Sequence, residues 1–154
     1  MPLLLVGLAV VAGDQVTKQL ALDRLAQGPP YDVIEGVLRF RLTFNPGGAF
    51  GLFQDYAWVF LVATLVIVAG ILIGVRNITD ARWSPALGLV LGGGVGNAID
   101  RLFRDTSGAV VDFIDLHVWP VFNIADMAIV CGSLAILFIG WRTEDPGSEG
   151  DREK

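Results

Sequence analysis

The sequence predicts an all-α integral membrane protein with four transmembrane helices and a small β-element in its loops. Three observations carry this. Of 154 residues, 53 % are hydrophobic and 18 % are charged, where an average soluble domain holds ~25 % charged residues. The mean hydropathy is +0.60. The apolar residues also gather into four runs of bilayer-crossing length. A chain this short cannot hide so much apolar surface in a soluble core, and the same composition excludes intrinsic disorder. The single cysteine, Cys131, excludes an intrachain disulfide framework. A formal charge of −5 argues against a nucleic-acid partner.

The first predicted span is Leu3–Leu22, interrupted by Asp14 and Lys18. No Lys or Arg precedes its apolar stretch, and apolar residues continue past Lys18, so it reads as an uncleaved span rather than a signal peptide. The second is Ala57–Val75, within a charge-free run of 20 residues from Tyr56. At ~1.5 Å per residue such a run crosses a ~30 Å hydrocarbon core. The third is Ser84–Leu102 and the fourth Phe122–Trp141. Four spans put both termini on one side of the membrane and the loops Asp23–Tyr56 and Phe103–Val121 on the other. Lys and Arg number five on each side, so charge counting leaves the orientation open; their higher density per residue in the short loop and the tail only leans toward cytoplasmic termini.

The long loops carry β-signals. Leu38, Phe40, Leu42 and Phe44 alternate with Val37, Arg39, Arg41 and Thr43, the pattern of a half-buried strand. Gly36 and Asn45-Pro46-Gly47-Gly48 bound it with turn chemistry. Gly108–Asp115 is a second β-rich run, available to pair with the first. The β-rich loop spans about 31–56. Residues 142–154 form a polar tail expected to be disordered. Asn77-Ile78-Thr79 matches a glycosylation pattern and is read as chance.

An ionisable group inside a span costs about 2.5–3.5 kcal/mol, so Asp14, Lys18, Asp100, Arg101 and Asp126 each need a reason. Asp14 and Lys18, at i and i+4, read as a self-neutralising structural ion pair, with a proton relay as the alternative. The glycine-dense run before Asn97 lacks the ending of a phosphate loop and reads as close helix packing. Asn97, Asp100 and Arg101 share one helix face, either lining a site or, for Arg101, reaching to the interface. Asp112 sits among Val110, Val111 and Phe113, while Asn123 and Asp126 lie at i and i+3 in an apolar setting. Two carboxylates in apolar surroundings would titrate apart, one protonated while the other is ionised, and so could activate water. The alternative makes Asn123 or Asp126 a helix cap and Asp112 a strand-edge charge. Cys131 is expected to pack as a small hydrophobe. His117, the only histidine, is a weak metal signal.

Five motifs in order resemble the bacterial lipoprotein signal peptidase family, signal peptidase II. They are Asp14-Gln15-x-Thr17-Lys18, Asn45-Pro46-Gly47-Gly48-Ala49-Phe50-Gly51, Gly94-x-Gly96-Asn97-x-x-Asp100-Arg101, Val111-Asp112-Phe113 and Phe122-Asn123-Ile124-Ala125-Asp126. The resemblance implies an intramembrane aspartic protease with an extracytoplasmic β-element, seated in the bacterial cytoplasmic membrane. It implies cleavage of a prolipoprotein signal peptide before a diacylglyceryl-modified cysteine. Asp112 and Asp126 would be the catalytic pair. Asn45, Asn97, Arg101 and Asn123 would bind substrate, and Asp14 and Lys18 would support them. No metal or organic cofactor is implied. Membrane lipid and the peptide antibiotic globomycin are implied partners. The rival reading is a proton-coupled transporter or channel subunit that uses the intramembrane acids as a relay.

Overall fold

The computed structural model describes residues 2–47, 57–74 and 80–143. The elements are α1 (Pro2–Leu25), β1 (Tyr31–Ile34), β2 (Leu38–Asn45), α2 (Ala57–Gly74), α3 (Trp83–Phe103), β3 (Val110–Asp115) and α4 (Ile124–Thr143). All four expected helices are present. α1 runs past its expected end at Leu22, and α4 starts and stops about two residues late. Gly48–Gly51, the Asn77-Ile78-Thr79 pattern and the tail from residue 144 lie outside the described residues.

Two of the four helices, Pro2–Leu25 and Ile124–Arg142, are long and apolar enough to cross a membrane. That is fewer than the four predicted. α2 is described over 18 residues. α3 is rich in glycine and ends in Asp100 and Arg101, which lowers its hydropathy.

α3 is the central helix and packs on the other three. Its glycines allow this. A Cβ on Gly92 would stand 2.6 Å from the Gly7 carbonyl oxygen of α1, and one on Gly93 would strike the Ala125 carbonyl oxygen of α4. The glycine-dense run is therefore a packing surface on two sides, with backbones meeting where any side chain would hold them apart.

The strands form one antiparallel sheet in the order β1-β2-β3. Arg39 pairs with Asp115, Thr43 with Asp112 and Asn45 with Val110, with a register shift between Phe40 and Thr43. β2 thus carries one extra residue opposite β3, a bulge. This corrects the expectation of a strand with one apolar and one polar face. Successive residues alternate sides, so Asp112 and Asp115, three apart, point to opposite faces of β3. The bulge turns β2 so that it serves both. Arg39 and Arg41 meet Asp115 at 2.8 and 2.6 Å, while Asn45 meets Asp112 at 3.0 Å. Phe40 packs on Phe113 with ring centroids 6.2 Å apart, and Phe44 is exposed.

Asp115 is buried and also accepts the His117 backbone N–H at 2.8 Å. Burial raises its pKa, but that N–H with Arg41 and Arg39 outweighs it and holds the carboxyl well below the usual range. Asp115→Asn is expected to destabilise the fold by about 1.5–3 kcal/mol, the range for hydrogen bonds to charged groups, as read by thermal unfolding in detergent. Because the folded pKa is lowered, the stability that Asp115 supplies is full above the unfolded value of about 3.9 and fades as pH falls below it.

Candidate active site

The site is assembled where the inner part of α1, the end of α3, β3 and the start of α4 meet. At its base, the Lys18 ammonium is fully buried. It contacts Asp14 Oδ2 at 2.8 Å and Asp100 Oδ2 at 2.9 Å, and it donates to Asn97 Oδ1 at 3.0 Å. Asp100 joins three elements. It also takes Arg104 Nε at 3.0 Å and the Val111 N–H of β3 at 3.0 Å. Asp14 Oδ1 accepts the Ala125 N–H at the start of α4 at 2.9 Å. Asp14 and Lys18 are therefore more than a local pair along α1. They fasten α1 to α3 and α4. Buried charges persist when paired and hydrogen-bonded in this way.

Above this base stand the amides and the two apolar-flanked acids. Asn123 caps α4. Its Oδ1 accepts the Asp126 N–H at 2.9 Å, while Asp126 Oδ2 accepts the Asn123 N–H at 3.3 Å. The exchange is a capping box in which an acid takes the usual Glu position. The same Asn123 donates through Nδ2 to Asp112 Oδ1 at 2.6 Å and to Asn97 Oδ1 at 3.1 Å. Cap and site, weighed as alternatives from spacing, are one arrangement. Asn97 Nδ2 donates to Asp126 Oδ1 at 2.8 Å, and Asn45 Nδ2 to Asp112 Oδ2 at 3.0 Å. Every oxygen of both carboxylates thus meets an N–H.

Asp112 is 1 % exposed, a buried acid rather than a strand-edge charge. Burial and the repulsion of Asp126 push its pKa up to about 7, against the pull of the Asn45 and Asn123 N–H groups. Two carboxylates close enough to repel, bonded to one shared asparagine, are equipped to hold a single proton between them.

A cavity of about 280 Å³ opens beside Asp126, lined by Asn45, Asn97 and Arg101, by Phe60 and Thr64 of α2, and by Trp119–Phe122. Asp112 does not line it, because Asn45 and Asn123 occupy its oxygens. Arg101 turns inward rather than toward the interface, and its buried Nε has no hydrogen-bond partner among the described residues. On the other side of Asp126 lies an apolar hollow of about 420 Å³, lined by Leu116, Trp119, Phe122, Met127, Val130 and Cys131. Cys131 is exposed there, contrary to the expectation that it packs inside. The outward face of α4 is exposed among the described residues, at Met127, Val130, Leu134, Leu137, Phe138 and Trp141. Among the described residues, no group of three or more His, Cys, Asp or Glu side chains is arranged to hold a metal ion.

Sequence reasoning missed several participants. Gln15 donates to Asp100 at 3.2 Å and accepts from Arg104 at 2.9 Å. The Asp100–Arg104 spacing of four was a usable signal. Thr64, a lone hydroxyl in the apolar α2, was another. The pairing of Arg39 and Arg41 with Asp115 left no sequence trace.

Fold and site define the class: a helical protein that joins a buried carboxylate to a half-buried one at a cavity wall beside membrane-length helices, an arrangement fit for acid–base chemistry. Residues 6–142 match the family described as Signal peptidase (SPase) II. The lipoprotein signal peptidase of Streptomyces griseus is 43 % identical over 94 % of this chain and 76 % of its own length. That of Mycobacterium avium is 37 % identical over 99 % and 85 %. Among solved structures, a bacterial membrane enzyme at 2.3 Å superposes with a TM-score of 0.85 and 27 % identity, over 99 % of this chain and 93 % of that one. A second, at 1.9 Å, gives 0.76 and 31 %, over 89 % and 90 %. The chain belongs to the signal peptidase II family, and it is a peptidase of the membrane.

Proposed function

We propose that this chain is an aspartic endopeptidase that removes the signal peptide of prolipoproteins on the N-terminal side of a diacylglyceryl-modified cysteine. The observation that carries the reading is the pair of acids, buried Asp112 and half-buried Asp126, joined through Asn123 beside the cavity that Asp126 lines. One carboxylate takes a proton from water, which attacks the scissile carbonyl. The protonated partner donates to the carbonyl oxygen as charge develops there. Arg101 and Asn45 receive the peptide backbone, Arg101 through its open Nε. Asn97 and Asn123 hold the acids. All four helices cross the bacterial cytoplasmic membrane with both termini inside, and the sheet lies at the outer surface over the site. The substrate enters laterally from lipid, and globomycin competes for the same cavity.

The rival proton relay has less support. Asp14 and Asp100 are tied up in fixed ion pairs with Lys18, and Asp100 also with Arg104, where they hold helices together.

The test is cleavage of a lipidated prolipoprotein by the purified protein in detergent, with the new N-terminus identified by mass spectrometry. Product that begins at the lipidated cysteine is expected, and no product would overturn the reading. A pH profile follows from the site. Asp112, raised to about 7, is protonated below that pH and ionised above it. Cleavage is expected to fall as pH rises through about 7, and to fall again in acid when both carboxyls are protonated. A flat profile would count against a shared proton.

A further inference from the structure

We propose that Lys18 is a positioning residue of this reaction. By holding the oxygen of the Asn97 carboxamide, it turns the Asn97 nitrogen onto Asp126, keeps Asp126 as the ionised base, and leaves the shared proton on Asp112. The inference rests on the two-acid reading above.

The argument is one of donors and acceptors. An ammonium has three N–H donors and accepts nothing. Lys18 spends all three on Asp14, Asp100 and Asn97 Oδ1. The Asn97 oxygen takes a second hydrogen bond from Asn123 Nδ2 at 3.1 Å, so both of its lone pairs are engaged. Only the Asn97 nitrogen is left for Asp126, and it donates at 2.8 Å. Flipping the amide would set N–H groups against an ammonium and a carbonyl oxygen against a carboxylate. The second contact survives only if Asp126 carries a proton. The charge of Lys18 thus reaches Asp126 as the orientation of one amide.

Asp112 is held differently. Its Asn45 partner is oriented by a neutral group, the Gly47 N–H, which donates to Asn45 Oδ1 at 3.1 Å. The charged groups around Asp126 are Lys18 and Asp14 from α1, Asp100 and Arg101 from α3, and Asp112 from β3. α2 offers Phe60 and Thr64, which carry none. Asp14 and Asp100 are both paired with Lys18, and Asp100 also with Arg104. That leaves Asp112 as the acid in competition with Asp126 for the ionised state.

Lys18→Met alone would strand two buried carboxylates, so the test is the double variant Lys18→Met/Asp14→Asn. It removes one charge of each sign, leaves Asp100 with Arg104, and keeps an oxygen for the Ala125 N–H. The expected result is folded protein with kcat down about tenfold or more at neutral pH and KM little changed. The acid limb of the kcat profile should move up by about one unit, returning part of the activity at higher pH. A folded double variant with wild-type kcat and pH profile overturns the proposal, and so does a loss that is equal at every pH.

Should the double variant not fold, infrared spectroscopy of the otherwise wild-type protein decides. Asp126→Asn should remove a carboxylate band, and Asp112→Asn a protonated carboxyl band. The reverse assignment overturns the proposal. Undiminished cleavage by Asp126→Asn would sink the two-acid reading itself, which separates the two failures.

Discussion

Replacing Asp112 or Asp126 with asparagine is expected to lower cleavage by roughly 10²–10⁴-fold, the usual worth of a positioned acid or base, with the fold intact. The substitution keeps the shape and removes the ability to exchange a proton. Asp126→Asn still offers an oxygen to the Asn123 N–H, so the capped start of α4 survives. Asp112→Asn keeps one oxygen for Asn45 or Asn123. The measurement is product formed from a lipidated prolipoprotein, alongside thermal unfolding of each variant. Near wild-type turnover in either folded variant would remove that residue from the chemistry. Loss of both activity and melting transition would instead mark the residue as structural.

The largest effect on stability is expected at Gly93. A Cβ there meets the Ala125 carbonyl oxygen and, at 2.7 Å, a side-chain carbon of Ile129. Backbone cannot yield as a flexible side chain does, so α3 and α4 must part. Overpacking of this kind costs about 1–3 kcal/mol and occasionally more. Because Ala125 adjoins Asp126, Gly93→Ala should also lower activity below what the stability loss explains. Gly70→Ala is the control. Gly70 lies within α2 with nothing within 4 Å of its Cβ position, and alanine favours a helix over glycine by about 0.8–1 kcal/mol. The two substitutions are thus expected to move the melting temperature in opposite directions. Equal effects would mean that the α3–α4 contact is not the limiting one.

What could be read from the sequence was what lies close along the chain. The helices followed from charge-free runs. The Asn123–Asp126 relation followed from spacing, because i and i+3 on a helix must share a face. Asp112 stood out as an acid among valines. Contacts between elements were out of reach. Nothing in the spacing of Lys18 shows that it binds Asp100 on another helix, or that Asn45 and Asp112, 67 residues apart, are neighbours across a sheet. The bulge in β2 was hidden for a different reason. Alternation in sequence assumes one residue opposite one, and the extra residue becomes visible only when β3 lies alongside. The glycine run was correctly read as packing, but its service to α1 and α4 together needed the structure.

That bulge ties two tasks to one spacing. Arg39 and Arg41 anchor the sheet through Asp115, and Asn45 reaches an acid of the site, because a single additional residue separates the stretches that face opposite ways. An insertion or deletion between Phe40 and Asn45 would exchange inner and outer partners for everything downstream. This stretch can therefore vary in letters but not in length. The half-buried arginines at one end of this strand and the partner of Asp112 at its other end are thus only a few residues apart, so a shift of either is a shift of the same short strand.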